Sequence, residues 1–558
     1  MSGATLGQQP RSRQGVGRAW RKGRWVGAVL FVASTAFASA PEWAAQAEAL
    51  RSQMRGGEAS VPEREPPDAA LAALEARVRS APEDLNAWLD LGAAYLEAER
   101  FDRAKESFLE AIALDYLAAD AHFGLGLSEY GRGDFDAALF AFSEVARLFP
   151  ERFDGHFNRG VALARLRRPE AAVAAFEEAL AQAGPETGAQ ARADAYVGLA
   201  GQLIALGRFE AAAEAYAEAI ALTGDAPELV YARAEALYRA GRGIEALPAL
   251  NALEAESVDY RVSALRADIY TQAGQTDYAL RALQRAVRRA AEAEDASAEA
   301  NLLIRLGLLQ RSLGREAAAT RAFGAAAQRA PDSGEALYNL GLSYLESGQP
   351  DRALEPLEGA LMLQLRAQGE GARAAQGEVY LALAAAYEQL GRPNEARRSA
   401  EAAASRLADA ALRLEASAIL GRSLYALGEF RGALLALREV ADARPEDANA
   451  QLWAGLAHYQ RGEFEAAIAR YERAVALDPN GAEARLNLGA AYLAAGRYED
   501  AALVYELLTT QFREDPDAFY NLGWALLSQG RPDEARQAWE RAVELGFEPA
   551  RAALSQFF

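Results

Sequence analysis

The chain has 558 residues, of which 51% are apolar, and its formal net charge is −20. It contains no cysteine, which excludes a disulfide framework and a thiol nucleophile. So acidic a chain is a poor candidate for binding nucleic acid, because that binding depends on the attraction of phosphates to Lys and Arg.

The N-terminal segment predicts export. Residues 1–24 carry six basic side chains and no acidic one, and residues 25–40 are uncharged, largely apolar and end in small residues. A basic region, a short apolar region and a small-x-small site are typical of a secretory signal peptide. Because Pro41 would fit a peptidase poorly just after the cut, we predict cleavage after Ala38, which makes residues 1–38 the signal peptide.

The expected destination is the periplasm or cell envelope. Without cleavage, residues 25–40 would anchor the chain in the inner membrane with the repeats still exported, and a cytoplasmic protein is the remaining alternative. Cleavage removes six basic residues and moves the formal net charge from −20 to −26. Residues 39–67 contain four prolines and are predicted to form a flexible leader.

A fixed spacing dominates the rest of the chain. Eleven of thirteen recurring alanines follow a glycine by five residues, and another Gly or Ala lies twelve residues before each alanine. The alanines, most often 34 residues apart, are Ala104, Ala138, Ala172, Ala212, Ala246, Ala279, Ala319, Ala353, Ala396, Ala433, Ala467, Ala501 and Ala535. One supersecondary unit copied at a fixed period indicates a solenoid.

Residues 482–515 show how one unit is built. Apolar residues recur at helical spacing up to Gly496, and glycine accepts the left-handed conformation just past a helix end. A second helical pattern follows, so the unit is predicted to be two antiparallel helices. Gly489 and Ala501 are expected where the two helices approach most closely, because a large side chain there would overpack the crossing.

The unit resembles the tetratricopeptide repeat, which carries a large residue, Leu-Gly and Tyr, then Ala, an aromatic residue, Ala and Pro. The first repeat supplies Trp88, Leu91, Gly92, Tyr95, Ala104, Phe108 and Ala111. The resemblance covers residues 85–549 and implies an all-α fold, a right-handed α-solenoid of about thirteen helix-turn-helix repeats. Stacked repeats contact only their neighbours, so we expect unfolding in blocks.

The repeats are predicted to fall into groups separated by irregular spacings. The predicted segments are an N-terminal capping helix at 68–84, repeats 1–3 at 85–186, repeats 4–6 at 187–293, repeats 7–8 at 294–376, repeats 9–13 at 377–549 and a C-terminal cap at 550–558. We expect the extra residues to lengthen second helices or the turns after them; they lie at 187–192, 294–299, 368–376 and 411–413. Repeats 227–293 are the least typical and are expected to be the weakest part.

Few residues of the sequence suggest a catalytic, metal or anion site. Phosphate-binding loops, nucleophile elbows and zinc-protease motifs are absent from the sequence. His122 and His156 lie one period apart, which indicates helix packing more than a shared metal ligand. Arg159, Arg233 and Arg266 stand where Leu is usual in the family; they either pair with carboxylates, extend along apolar surface or form an anion site. The sequence predicts a protein that is not an enzyme and needs no cofactor or metal.

The resemblance implies that first helices line a concave groove through their second, fifth, ninth and twelfth positions. The aromatic residues at such positions are Phe123, Tyr130, Phe157, Tyr231, Tyr238, Tyr338, Tyr425, Tyr459, Tyr520 and Trp524. The second position is acidic in nine repeats, at Asp120, Asp154, Asp194, Glu228, Glu335, Glu378, Glu415, Glu483 and Asp517. These acids also complement the helix dipole, and the tyrosines are ordinary for the family, so a purely structural role is the alternative.

We therefore expect an exported scaffold that binds other proteins or peptides in its groove. Nucleic acid is not an expected partner, and the membrane is one only through an uncleaved signal anchor. The alternatives are a carbohydrate- or peptidoglycan-associated binding protein, or an accessory subunit of an envelope assembly, secretion or polysaccharide-export complex.

Overall fold

A computed structural model of the chain describes residues 67–185, 187–366 and 369–558. These residues form α-helices joined by short turns, with one 3-10 turn at Gly243–Ala246 and no strand among them. The predicted signal peptide and all but the last residue of the predicted leader lie outside the described residues. The chain divides into two compact units, which in the described part comprise residues 67–289 and 290–558.

In both units the helices alternate as first and second members of helix pairs. In the numbering that follows, the even-numbered helices before the last helix are first helices, and the odd-numbered helices after the N-terminal one are second helices. The unit of residues 67–289 contains α1 (Pro67–Ser80), α2 (Leu85–Glu97), α3 (Phe101–Leu114), α4 (Ala119–Arg132), α5 (Phe135–Leu148), α6 (Phe153–Arg165), α7 (Pro169–Ala181), α8 (Ala189–Ala205), α9 (Phe209–Thr223), α10 (Pro227–Arg239), α11 (Leu247–Glu256), α12 (Tyr260–Gln272) and α13 (Thr276–Glu292, assigned to this unit up to residue 289). The unit of residues 290–558 contains α14 (Ala296–Ser312), α15 (Glu316–Arg329), α16 (Gly334–Glu346), α17 (Pro350–Gln364), α18 (Glu370–Gln389), α19 (Pro393–Ala404), α20 (Ala410–Ala426), α21 (Phe430–Ala443), α22 (Ala448–Gln460), α23 (Phe464–Leu477), α24 (Ala482–Ala494), α25 (Tyr498–Gln511), α26 (Pro516–Ser528), α27 (Pro532–Glu544) and α28 (Glu548–Phe557). Each unit is thus a stack of helix pairs, as the repeat period predicts.

The turn within a pair is built on a left-handed residue. Gly496 has φ 77° after α24, and the N–H of Arg497 donates to the carbonyl of Tyr492 at 2.8 Å, which closes the helix end. The two repeats without this glycine place Glu99 and Arg167 there, both with φ 55°. The stacked architecture therefore imposes the left-handed turn even where the sequence lacks glycine.

Close approach within a pair explains the second small residue. A Cβ added to Gly489 would lie 2.5 Å from Cζ of Tyr505, and one added to Gly523 would lie 2.2 Å from Nε1 of Trp539. In nine repeats the large residue lies sixteen positions after the glycine that it contacts. These pairs are Gly92–Phe108, Gly126–Phe142, Gly160–Phe176, Gly307–Phe323, Gly341–Leu357, Gly421–Leu437, Gly455–Tyr471, Gly489–Tyr505 and Gly523–Trp539. Each glycine therefore makes room for a large core side chain of its own repeat.

Ala467 provides a test of this packing. Its side chain is fully buried in the core that Tyr471 and Leu488 also form. Replacing Ala467 by Leu should destabilise its own and neighbouring repeats by about 1–3 kcal/mol, because the crossing has no room for three more carbons. Hydrogen exchange should show that α22 to α25 lose protection and that α2 to α5 keep theirs. Replacing the exposed Ala466 by Leu on the same helix is the control, and equal losses in both variants would contradict the prediction.

The expectation for the extra residues is confirmed only in part. The second helix α13 is lengthened to 17 residues, against 14 in α23. First helices are lengthened as well, at their N-terminal ends: α8, α14 and α20 have 17 residues and α18 has 20, whereas α22 has 13. For two of them the cause is an N-cap aspartate placed further upstream. Asp295 accepts from the N–H of Ala298 at 2.9 Å, and Asp409 from the N–H of Leu412 at 2.9 Å.

The repeats at 227–293 are irregular, as predicted. The second helix that follows α10 begins as the 3-10 turn, and α11 then has only 10 residues. Pro248 lies at the start of α11, where it lacks the N–H that a continuous helix would need. The helix pair that results is shorter than its neighbours.

Candidate functional site

In the unit of residues 67–289, the predicted groove aromatics lie on the first helices α4, α6 and α10. Phe123, Tyr130, Tyr231 and Tyr238 are half-buried, whereas Phe157 is only 9% exposed. Phe157 packs between Phe153, stacked at 5.6 Å between ring centroids, and Phe176 at 5.8 Å. Phe157 thus belongs mainly to the core.

Arginines of the same unit cover several of these rings. Cζ of Arg165 lies 5.5 Å from the ring centroid of Tyr130, and Nη1 of Arg165 donates to the Tyr130 hydroxyl at 3.1 Å. Cζ of Arg152 lies 5.9 Å from the ring of Phe123, and that of Arg261 lies 5.6 Å from the ring of Tyr231. Burial raises the pKa of Tyr231 to about 12. These aromatic faces are already occupied by cations of the chain itself.

In the unit of residues 290–558, Tyr520 and Trp524 lie beside the last helix. Tyr520 is 6% exposed and its ring lies 5.0 Å from that of Phe547. Trp524 contacts Trp539 at 5.3 Å and Phe557 at 5.5 Å, both edge-on. The structure therefore places both residues in the packing between α26, α27 and α28.

Tyr425 and Tyr459 form the centre of the remaining aromatic surface. Tyr425 contacts Trp453 edge-on at 5.6 Å, and Nε2 of Gln460 donates to its hydroxyl at 3.1 Å. Burial raises the pKa of both tyrosines. Trp453 was not predicted as a site residue, because it lies one position after the fifth of its helix; a tryptophan next to a groove position was the available signal.

A buried hydroxyl without a hydrogen-bond partner lies below these two tyrosines. The Tyr471 side chain is fully buried, and its Oη has no hydrogen-bond partner. Burial raises the pKa of Tyr471 well above its usual value, and the nearby groups that add to the shift are Tyr425, Tyr459 and Glu483. Burial also raises the pKa of the Glu483 carboxyl. Tyr425, Tyr459 and Glu483 therefore all influence this one buried hydroxyl electrostatically.

Tyr338 resembles Tyr471 in the environment of its hydroxyl. Its hydroxyl is buried without a hydrogen-bond partner, and burial raises its pKa, with the nearby Glu378 carboxylate adding to the shift. Burial raises the pKa of Glu378 and of Glu346 as well. Glu378 is half-buried whereas Glu346 is exposed, so of the two only Glu378 is partly withdrawn from water.

The second-position acids differ from one another in their ion pairing. Asp120 and Asp154 both bind Arg152, at 2.8 and 2.5 Å, and Glu415 binds Arg444 at 2.9 Å. By contrast Glu378, Glu483 and Asp517 have no ion-pair partner among the residues that the structure describes, and burial raises the pKa of each of these three carboxyls. These three acids remain open to an external cation.

The histidines pack as predicted. Nε2 of His122 bonds the carbonyl of Tyr116 at 2.9 Å, and Nε2 of His156 bonds that of Pro150 at 2.8 Å. Arg159 pairs with Glu178, and Arg266 pairs with the buried Glu254, so carboxylate pairing is confirmed for these two arginines. Across the described ranges, no three His, Cys, Asp or Glu side chains are grouped so that they could hold a metal ion.

The membrane prediction concerns residues 25–40, which lie outside the described residues. Among the helices from residue 67 onward that the structure describes, none combines the length and the apolarity that crossing a bilayer requires.

Several solved structures are similar to the chain, at low sequence identity. The Cut9–Hcn1 hetero-tetramer of APC/C matches at 14% identity over 87% of this chain and 98% of that chain, with a TM-score of 0.34. Naa15/Naa10 bound to HypK-THB matches at 13% identity over 85% of this chain and 79% of that chain, with a TM-score of 0.37. MamA matches at 24% identity over 30% of this chain and 97% of that chain, with a TM-score of 0.28. No curated protein matches the sequence.

Family models identify the repeats directly. Models described as tetratricopeptide repeat match residues 89–142, 125–186, 197–261, 304–372, 377–406 and 486–553. A further model described as TPR repeat matches residues 455–496. The matched stretches cover more than half of the chain and agree with the helix pairs described above. The chain therefore belongs to the tetratricopeptide repeat family.

Proposed function

We propose that this chain is a non-catalytic scaffold that binds segments of other proteins on its first helices, chiefly in the unit of residues 290–558. The observation that carries the proposal is the aromatic surface of Tyr425, Trp453 and Tyr459, on which Trp453 lies edge-on to Tyr425 at 5.6 Å. The Glu483 carboxylate, which has no ion-pair partner among the described residues, influences the same buried Tyr471 hydroxyl as the two tyrosines do. Aromatic anchors of this kind suit the recognition of a peptide or helix with few hydrogen bonds.

The charge of the surface favours a partner with basic residues. The chain is acidic overall, and Glu378, Glu483 and Asp517 have carboxyl pKa values raised by burial. A basic side chain beside them would stabilise their charged forms. The partner segment should therefore combine apolar anchors with some basic residues.

We also propose that the protein works outside the cytoplasm, in the cell envelope. The proposal is supported by the basic residues before position 25 and by the uncharged stretch 25–40. We expect the mature chain to begin at or near Ser39, and N-terminal sequencing of the protein from fractionated cells measures this directly. An intact Met1 in the cytosolic fraction would contradict the proposal.

A double replacement tests the binding surface. Changing both Tyr425 and Tyr459 to Ala should weaken partner binding by at least about tenfold, because removing two central aromatic anchors typically costs more than 1 kcal/mol each. The partner is first captured by crosslinking in intact envelopes and then titrated against the purified full chain. Helical circular dichroism should stay within a few percent of the parent.

The control for this experiment is Leu503→Ala, since Leu503 is 67% exposed on the second helix α25 of the same unit. If the control abolishes binding while the tyrosine variant binds normally, the second-helix surface binds the partner and the proposal fails.

A further inference from the structure

Three tyrosine–phenylalanine pairs recur with the same geometry. Each phenylalanine is the first residue of a second helix and follows its tyrosine by five residues; the tyrosine is the twelfth residue of α4 and of α22, and the sixteenth of α20, which is extended at its N-terminal end. The ring centroids lie 5.2 Å apart in Tyr130–Phe135, 5.5 Å in Tyr425–Phe430 and 5.4 Å in Tyr459–Phe464, with interplanar angles of 63°, 66° and 62°. The backbone therefore presents the same aromatic corner three times.

The residue that reaches each corner comes from the next repeat, 35 positions after the tyrosine. At the first corner it is Arg165, whose Cζ lies 4.3 Å from the Phe135 centroid and whose Nη1 donates to Tyr130. At the second it is Gln460, a neutral amide that donates to Tyr425 at 3.1 Å. At the third the equivalent residue is Ala494, the last residue of α24, which is exposed and has no polar side-chain group to donate.

We propose that the Tyr459–Phe464 corner is a subsite for an arginine side chain of a bound protein segment, in the place that Arg165 occupies at Tyr130–Phe135. This inference rests on the proposed function and names one recognition element of it. The chain shows with its own Arg165 that the corner accepts a guanidinium group on its ring faces and at its hydroxyl. At Tyr459 the equivalent position is alanine, so the guanidinium has to come from outside.

Arginine fits the corner better than lysine does. A guanidinium group is planar, so it stacks on an aromatic face while its N–H groups donate to a nearby oxygen, as Arg165 does. Tyr459 and the Glu483 carboxylate both influence the buried Tyr471 hydroxyl, which has no hydrogen-bond partner, and Glu483 has no ion-pair partner among the described residues. A cation on the corner would therefore meet a favourable local charge.

The test compares arginine with its uncharged analogue citrulline on the full chain. The probes are capped twelve-residue peptides with one central arginine or citrulline and two leucines at three different spacings, followed by fluorescence polarisation. We expect at least one arginine peptide to bind about three- to tenfold more tightly than its citrulline partner, the ratio that a cation–π contact provides.

Substitutions of Ala494 and of its equivalent Arg165 then show which aromatic corner is responsible for the preference for arginine over citrulline. Ala494→Arg should place an internal guanidinium on the corner and reduce the arginine-to-citrulline ratio to near one, whereas Ala494→Gln should leave part of it. Arg165→Ala should uncover the Tyr130–Phe135 corner and raise the amount of arginine peptide bound at saturation. Arg438→Ala, an exposed arginine on α21, is the control for general charge effects and should change neither quantity.

The outcomes separate the subsite from the proposed function. Tight binding without an arginine preference, or a preference that survives Ala494→Arg, would overturn the subsite while leaving the scaffold function standing. If neither peptide series binds and no partner is captured in envelopes, both fail.

Discussion

Replacing Trp539 by alanine is expected to destabilise the C-terminal helices by about 3–5 kcal/mol, the cost typical of removing a fully buried tryptophan. The Trp539 side chain has no exposed surface, and its Nε1 donates to the carbonyl of Tyr520 at 2.9 Å. It also fills the space that Gly523 leaves open and contacts Trp524 and Phe557. The substitution therefore leaves a cavity and removes this hydrogen bond at once.

The effect should be local, because contacts in a repeat array are between neighbours. Hydrogen exchange should show α26 to α28 losing protection while α2 to α5 keep theirs, and a denaturant titration should show an early transition. Leu503→Ala is the control on an exposed leucine and should stay within about 0.5 kcal/mol of the parent. A uniform loss along the whole chain would show that the repeats unfold together instead.

Replacing Glu254 by glutamine is the second large expected effect, again about 3–5 kcal/mol, because it leaves the largely buried Arg266 without its counter-charge. The Glu254 side chain is 4% exposed, and its Oε2 pairs with both Arg266 and Arg285, the latter at 2.7 Å. Arg289 donates to the Glu254 carbonyl at 2.9 Å. One carboxylate thus holds α11, α12 and α13 together where the second helix is shortest.

A matched glutamate tests whether burial is the cause. Glu210 pairs with Arg242 at 2.6 Å but its side chain is 66% exposed, so Glu210→Gln should cost no more than about 1 kcal/mol. Hydrogen exchange over α11 to α13 measures both variants. Adding Arg266→Met to Glu254→Gln should recover part of the loss, since it removes one uncompensated charge. Equal effects of Glu254→Gln and Glu210→Gln would contradict this account.

The prediction that residues 227–293 unfold first gains a physical reason from the same region. α11 has only 10 residues and follows a 3-10 turn, so less of this second helix is regular α-helix than in α23, which has 14 residues. The Glu254 network is the contact that compensates for this. We therefore expect Glu254→Gln to make this region unfold well before the others.

Much of the architecture could be predicted because each feature depends on residues close in sequence. Gly496 ends its helix through a bond that spans five residues, and Gly489 faces Tyr505 sixteen positions later within one helix pair. The direction in which inserted residues extend a helix was not predictable from the period alone. It was decided by N-cap aspartates such as Asp409, which place the start of the first helix upstream.

The sequence by itself determined the repeat period, the helix pairs, the close-packed small residues and the identity of the aromatic positions. The tertiary structure alone decided which of those aromatics are open: Phe157 and Tyr520 pack inside, Tyr130 lies under Arg165, and Tyr459 has the exposed Ala494 at the position equivalent to Arg165. Residues 35 positions apart meet only because successive helix pairs stack at a fixed offset. Since no local rule encodes that offset, the composition of a single repeat cannot show which aromatic ring its neighbour covers.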